Sequence, residues 1–313
     1  MNRLCRIVAI NVVLLFPMRS LGVVVGNYTA AEDDPQNYGY SIAWNQIYRV
    51  NASAGGGTGV PVGLYWLLTA AHVADDNTPP QVQVGLTTYT AANVFYHPQA
   101  DLALLQFSSP VFSSGYYPLY TGGFPNSAPY LLGVLVGYGY NGTVSSTYYT
   151  PSTGGHNVKR WGTNYIDGIA DNVVIGSTTN NVITMAFDSG DSAYEAGLAT
   201  YDSGGPVLVN DGGTWKVAGI NVAVTKLRDT TPSGSFDHIV AVRIPAYAAW
   251  INNTIPEPQT TALLALSALV ASLGRFKRRG PPRVRKVVKG QSPTYPAVYL
   301  ARRTRRHYYR SSF

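Results

Sequence analysis

Short segments in which apolar and polar residues alternate fill most of the chain, and turn residues interrupt them about every eight to twelve positions. Examples are QVQVGLTTY at residues 81–89, NVITMAF at 181–187 and HIVAVRI at 238–244. Such spacing is typical of an all-β sandwich or barrel rather than of alternating strands and helices. Only PAYAAWINNTI, residues 245–255, has apolar residues at helical spacing. The pattern therefore predicts an all-β domain with one short C-terminal helix.

Two apolar runs lie outside this alternating region, one near each end of the chain. Residues 7–16 follow Arg3 and Arg6, and this run is too short to span a membrane but typical of a secretory signal, with cleavage predicted after Gly22. A buried N-terminal strand is the alternative interpretation. Residues 261–274 lie between a Pro-Glu-Pro triplet and a basic cluster. This second run is shorter than the about 20 residues of a typical membrane helix, and a core helix is its alternative.

These features divide the chain into four parts: a signal peptide at residues 1–22, a folded domain at 23–255, a segment with a short transmembrane run at 256–279, and a basic tail at 280–313. Hydrophobic residues make up 45% of the chain, which is enough for a buried core. The one cysteine, Cys5, lies in the predicted signal, so we expect no disulfide in the mature protein. An exported protein without disulfides is more typical of bacteria than of animals.

The net charge of +7 does not describe the folded domain. Thirteen of the 23 Lys and Arg residues lie within residues 275–310, whereas residues 23–255 contain seven basic and 15 acidic residues, a net charge of −8. The acidic domain argues against a nucleic-acid partner. The tail interleaves Arg with Tyr, as single-strand binders do, but we favour a disordered segment that processing removes.

Three motifs supply the side chains that acyl transfer requires, namely a nucleophilic hydroxyl, a base and an acid that orients the base. The sequence LLTAAHV places His72 just after an apolar strand, and DLALL begins with Asp101. In DSGGP, Ser203 precedes two glycines that let the backbone pass close to a substrate. Each motif is modest by itself, and a histidine at a strand end is usually structural or exposed. Their order in one chain is what predicts a catalytic group.

Other acidic residues are weaker candidates. Asp75 and Asp76 lie on the same turn as His72 and are interpreted as solvated charges. The stretch DSGDS, residues 188–192, offers rival serines but lacks the Gly-Pro that follows Ser203. Its carboxylates, together with that of Glu195, are a minor candidate for calcium binding. We expect no metal and no cofactor.

The three motifs, in this order, resemble those of chymotrypsin-type (trypsin-like) serine proteases. The similarity covers roughly residues 23–254: VVVGN resembles the mature N-terminus of that family, WKVAGINVAV its substrate-lining strand and RIPAYAAWINNTI its closing helix. The resemblance implies an all-β fold of two packed six-stranded antiparallel β-barrels with a short C-terminal helix. It also implies that the catalytic residues lie between the barrels and that the substrates are proteins or peptides.

The resemblance implies a role for each candidate. His72 becomes the general base, Asp101 the orienting acid and Ser203 the nucleophile, while the backbone N–H groups of Tyr201 and Ser203 form the oxyanion hole. The family nearly always has glycine where this chain has Tyr201. If that position requires positive φ, a tyrosine there is strained by about 1–2 kcal/mol.

The acid beside the nucleophile and the specificity pocket also follow from the resemblance. Asp202 would accept a salt bridge from the amine of Val23 or Val24 once the signal is removed, so export would activate the enzyme. Gly197 stands six residues before the nucleophile, where the trypsin subgroup has an acid, and Val222 and Val224 lie on the matching wall. These residues imply a preference for small aliphatic side chains over Lys or Arg at the cut.

The C-terminal segment resembles the PEP-CTERM sorting signal of Gram-negative bacteria. Pro256, Glu257 and Pro258, the apolar run and the basic cluster occur in the order of that signal, although 34 further residues follow from Gly280. The resemblance implies an exosortase-type partner, membrane association before processing, and a location in the bacterial envelope, at the cell surface or outside the cell.

Apart from a nucleic-acid-binding protein, which the acidic domain disfavours, the sequence supports two functional hypotheses. The first is an exported serine endopeptidase. The second is a catalytically weak or inactive protease-like domain that acts as a surface binding or matrix protein. The reason for this alternative is Tyr201, which stands where the family nearly always has glycine.

Overall fold

The structure is a computed structural model that describes residues 23–255 except residues 27, 52–55, 76–77 and 154–157. The predicted signal peptide, sorting signal and basic tail lie outside the described residues. None of the helices within the described part of the chain is long and apolar enough to cross a membrane.

The N-terminal half of the domain forms one antiparallel sheet. It follows strand β1 (Val24–Val25) and helix α1 (Tyr28–Glu32) and contains β2 (Tyr48–Val50), β3 (Gly57–Gly63), β4 (Trp66–Thr69), β5 (Gln81–Val84), β6 (Thr87–Thr90), β7 (Asn93–Tyr96) and β8 (Ala103–Gln106). The strand order is β6-β5-β2-β3-β4-β8-β7. Leu67 and Leu68 on β4 pair with Leu105 and Leu104 on β8, and all four side chains are fully buried. A short helix, α2 (Ala71–Ala74), follows β4.

The C-terminal half forms a second antiparallel sheet. Its strands are β9 (Leu131–Gly137), β12 (Arg160–Ile166), β13 (Gly168–Ile175), β14 (Thr178–Ala186), β16 (Pro206–Asp211), β17 (Thr214–Thr225) and β18 (His238–Arg243), and a hairpin of β10 (Gly142–Val144) and β11 (Tyr149–Pro151) lies apart from them. The order is β12-β9-β16-β17-β18-β14-β13. Helix α3 (Ala248–Thr254) closes the domain.

The predicted all-β fold with two packed antiparallel sheets and a short C-terminal helix is confirmed. Each sheet curls into a half-barrel of seven strands where six were expected. In the first sheet, a turn at Gly85 and Leu86 and a break at Ala91 and Ala92 divide residues 81–96 into three short strands. The predicted helix at 245–255 begins slightly later, because residues 244–246 form a 3-10 turn that contains Pro245.

The N-terminal segment is built into the second half of the domain. Val23, Val24 and Val25 are at most 3% exposed, and β1 pairs with the two-residue strand β15 (Ala196–Gly197). The register joins Val24 to Gly197. Since β15 leads directly into the loop that carries Ser203, the N-terminal segment and that loop are held by the same pairing.

Candidate active site

His72 and Asp101 meet at one end of the neighbouring strands β4 and β8. His72 lies three residues after the end of β4 and Asp101 lies two residues before the start of β8. Because Thr69 pairs with Ala103 in this register, both side chains emerge at the same edge of the sheet. The Nδ1 atom of His72 is 2.6 Å from Oδ2 of Asp101, and the backbone N–H of His72 donates to Oδ1 at 2.9 Å. The Asp101 carboxylate thus contacts both the imidazole ring and the backbone N–H of His72.

The pKa values of His72 and Asp101 shift in opposite directions, as expected for a base paired with an ionised acid. Burial disfavours the imidazolium, but the charge of Asp101 and its hydrogen bond outweigh burial, so the pKa of His72 is raised above 6.5. Burial would also raise the pKa of Asp101, yet the His72 charge and hydrogen bonds from the backbone lower it. Asp101 is 4% exposed and stays ionised near neutral pH, whereas His72 remains accessible to a substrate.

Ser203 lies on the loop between β15 and β16, which packs against the end of β4. The Ser203 carbonyl accepts a hydrogen bond from the Thr58 N–H at 2.8 Å, and the Gly204 N–H donates to the Asn221 carbonyl at 2.8 Å. Gly204 has a φ of +81°, and a side chain there would overlap the Thr58 carbonyl and lie 3.1 Å from the Ala70 nitrogen. The glycine therefore lets the nucleophile loop approach a residue two positions before His72.

The contact between nucleophile and base stays a prediction. Within the described residues, no hydrogen bond joins the Ser203 hydroxyl to the His72 ring. Such contacts are often long in the absence of a substrate and shorten in the complex. The structure therefore brings all three residues to one region but shows only the His72–Asp101 contact directly.

Tyr201 adopts the left-handed conformation, with a φ of +83°. The sequence predicted strain if this position requires a positive φ. It does, so the tyrosine is strained by about 1–2 kcal/mol. Its carbonyl oxygen accepts a hydrogen bond from Thr58 Oγ1 at 2.9 Å, and its ring packs edge-on against Tyr140 with centroids 5.3 Å apart; both contacts help to hold the residue in this conformation.

Thr58 contacts the loop of Tyr201 and Ser203, and no sequence motif indicated it. Its hydroxyl donates to the Tyr201 carbonyl and accepts from the Tyr138 N–H at 3.2 Å, while its own N–H binds the Ser203 carbonyl. The side chain is fully buried. Thr58 therefore ties the loop of Tyr201 and Ser203 to β3 through both its side chain and its backbone.

Asp202 is completely buried, and only one of its two carboxylate oxygens has a hydrogen-bond partner within the described residues. Its Oδ1 accepts a hydrogen bond from the Gly139 N–H at 2.9 Å, whereas its Oδ2 has no partner within the described residues. Burial raises the pKa of Asp202 well above its usual value, and the Gly139 N–H and the Arg160 charge only partly oppose this. A buried carboxylate oxygen without a partner is costly, and a cation would satisfy it.

The predicted pocket residues separate into two groups. Val222 lines a cleft of about 380 Å³ together with His72 and Asp101. Val224 instead belongs to a hydrophobic core cluster that also contains Tyr149. Gly197 is buried beside this cluster, and a side chain added there would overlap the ring of Tyr149. Tyr149 has no motif of its own, so the sequence analysis did not single it out.

Asn180 is a second residue that the sequence analysis missed. Its side-chain oxygen accepts a hydrogen bond from the Asp101 N–H at 2.7 Å, and its amide donates to Thr178 Oγ1 at 2.9 Å. Asn180 is fully buried on β14, which belongs to the second sheet. It therefore fixes the backbone of Asp101 from the opposite half of the domain.

Side chains of the acidic segment at residues 188–195 form hydrogen bonds and an ion pair within the domain. Glu195 accepts hydrogen bonds from the backbone and hydroxyl of Ser192, and Asp188 pairs with Arg228 at 2.8 Å. Within the described residues, no cluster of three or more His, Cys, Asp or Glu side chains could hold a metal ion.

Comparisons with known proteins agree with this architecture. The family described as Trypsin matches residues 37–251, which is more than half of the chain, and the chain therefore belongs to the trypsin family. Its domain is a trypsin-like serine protease domain.

Two solved structures are similar to this chain, and the one with the higher TM-score, neuropsin, shows the same fold. Neuropsin, a serine protease expressed in the limbic system of mouse brain, is 19% identical with a TM-score of 0.50, and the match covers 72% of this chain and 98% of neuropsin. An inactive mutant form of Rv3671c from M. tuberculosis H37Rv is 18% identical with a TM-score of 0.46, covering 68% of this chain and 90% of that one. A search of curated proteins found no match.

Proposed function

We propose that this protein is an exported serine endopeptidase that uses His72, Asp101 and Ser203. The observation that carries the proposal is the two-point contact of Asp101 with the ring and backbone of His72, beside the packed loop of Ser203. A buried carboxylate in this arrangement sets the tautomer of the base and stabilises its charged form. The family supports a hydrolase of this class.

The reaction would proceed through an acyl-enzyme. Ser203 Oγ attacks the substrate carbonyl carbon while His72 takes the hydroxyl proton, and the backbone N–H groups of Tyr201 and Ser203 stabilise the oxyanion. His72 then gives the proton to the leaving amine as the peptide bond breaks. A water molecule, activated by His72 in the same way, hydrolyses the ester and restores Ser203.

The proposed preference is for small aliphatic side chains at the cut. No carboxylate stands at Gly197 to bind a substrate Lys or Arg, and Val222 presents an apolar wall in the cleft beside His72. If peptides with Lys or Arg were cleaved best, this part of the proposal would be wrong.

Processing is proposed to complete the active conformation. Removal of the leader would expose the α-amino group of Val23 or Val24. In its protonated form this group would pair with Oδ2 of Asp202, which has no hydrogen-bond partner within the described residues. The burial of Val23 and Val24 beside β15 supports this, since the segment already lies in the domain core. Mass spectrometry of the active protein tests it: an N-terminus far from residues 23–24 would contradict the proposal.

Export and sorting are proposed from the terminal segments. The signal peptide would direct export, and the PEP-CTERM-like segment at residues 256–279 would hold the protein in the membrane until an exosortase-type enzyme processes it. The protein would then reside in the bacterial envelope, at the surface or outside the cell. Cell fractionation with and without residues 256–279 tests this, because loss of the segment should release the protein from the membrane fraction.

The test of activity is hydrolysis of a peptide library by the full chain expressed with its leader, with Ser203→Ala as the control. Activity that Ser203→Ala abolishes supports the endopeptidase. The second candidate, an inactive binding or matrix protein, is favoured by the strained Tyr201 at the oxyanion hole. It predicts that correctly processed protein hydrolyses no member of the library.

A further inference from the structure

Tyr149, on strand β11, is an aromatic residue that packs between Phe187 and Phe236. Its backbone N–H and carbonyl exchange hydrogen bonds of 2.9 Å with Phe236. Its ring packs on Phe187 with centroids 5.2 Å apart and on Phe236 at 6.2 Å, and the side chain is fully buried. This packing fixes the ring in the hydrophobic core that also contains Phe187.

The ring occupies the space directly in front of Gly197. A side chain added at Gly197 would overlap three ring atoms of Tyr149, so the direction in which residue 197 would project is filled. Val224 belongs to the same hydrophobic cluster and is 9% exposed. A ring from the protein itself therefore fills the space in front of Gly197, one of the predicted pocket residues.

We propose that Tyr149 is the specificity-determining residue of this protease, because its ring fills the depth of the pocket and leaves room only for a small aliphatic side chain of the substrate. This inference rests on the proposed function. It assigns the size limit to a residue on the β10–β11 hairpin rather than to the walls at Val222 and Val224.

The chemistry of the ring also excludes a charged side chain. Burial raises the pKa of the Tyr149 phenol, and the nearby charges of Asp202 and Asp237 raise it further, against an opposing contribution from the Leu198 backbone. The phenol therefore stays neutral at physiological pH. A neutral ring that fills the pocket offers neither space nor an opposite charge to a Lys or Arg side chain.

The test compares kcat/KM for peptides that differ only in having Ala, Val, Leu or Phe before the cut. The wild-type protein should prefer Ala and Val. Tyr149→Leu and Tyr149→Ala should raise the ratio of Phe to Ala cleavage by about 10-fold or more, since removal of the ring opens a pocket for large apolar groups. Tyr120→Leu is the matched control, because Tyr120 is buried in the same core but contacts Phe124 and not Gly197. It should leave the ratio unchanged.

An unchanged ratio in a folded Tyr149→Leu protein that still reacts with a fluorophosphonate probe overturns the inference but not the proposed function. A wild-type protein that neither reacts with the probe nor cleaves any peptide contradicts the proposed function instead. The packing is tested separately by thermal unfolding. Gly197→Ala should lower Tm in the wild type and much less in Tyr149→Ala, and an equal loss in both backgrounds would overturn the geometry.

Discussion

Replacement of Thr58 by valine removes one hydroxyl from the oxyanion loop and keeps the shape of the side chain. The hydroxyl binds the Tyr201 carbonyl at 2.9 Å and the Tyr138 N–H at 3.2 Å, and it is fully buried. Thr58→Val leaves both backbone groups without this partner. Each unsatisfied buried group costs about 1–3 kcal/mol. A loss of each kcal/mol should lower Tm by about 2–4 °C in a domain of this size.

The larger expected effect of Thr58→Val is on catalysis. Tyr201 is already strained by about 1–2 kcal/mol in the left-handed conformation, so without the hydrogen bond to its carbonyl we expect its φ to relax and its N–H to turn away from the oxyanion. Loss of an oxyanion donor costs about 10²–10³ in kcat. We therefore expect Thr58→Val to lower kcat by about 100-fold and to change KM little, because the donor acts in the transition state.

Steady-state hydrolysis of the best peptide, together with thermal unfolding, measures both effects. Thr58→Ser keeps the hydroxyl and should retain most of the activity. In the Tyr201→Gly background the left-handed conformation carries no strain, so the loss caused by Thr58→Val should be smaller. A folded Thr58→Val protein with wild-type kcat would show that this hydroxyl does not hold the oxyanion hole.

The remaining predictions concern single residues of the site. Tyr201→Gly should leave kcat unchanged or raise it, and a large loss in a peptide assay would mean that the tyrosine contacts substrate. Since His72 acts as a base only when neutral and its pKa is raised, kcat/KM should fall as the pH drops through a value above 6.5. Asp101→Asn should move this fall to lower pH and reduce kcat by about 10⁴-fold. Asn180→Ala should lower kcat through Asp101, whereas Asn181→Ala on the same strand should not; equal effects would contradict the positioning role.

The sequence predicted the parts of the site that depend on local patterns. The alternating segments marked the strands, and the apolar runs before His72 and after Asp101 marked β4 and β8, whose pairing brings the two side chains together. The two glycines after Ser203 indicated a close backbone approach, which the packing of Gly204 against Thr58 shows. The question about Tyr201 could be posed from the sequence, but its φ could not be read from it.

The missed residues act across long distances in the sequence. Thr58 and Tyr201 are 143 positions apart, and Asn180 and Asp101 are 79 apart. Threonine and asparagine are common in β-rich chains, and only the register between separate strands shows which of them face the site. Tyr149 was missed for the same reason, because its position in front of Gly197 depends on how the β10–β11 hairpin folds onto the second sheet.

Labelling with a fluorophosphonate probe tests the central claim most directly, because the probe reacts preferentially with a serine hydroxyl that a neighbouring base activates. The full chain, expressed with its leader and processed, should gain one probe mass at Ser203 by peptide mass spectrometry. Ser203→Ala should abolish the adduct and His72→Ala should slow its formation by orders of magnitude. Correctly processed, folded protein that forms no adduct at Ser203 would contradict the account.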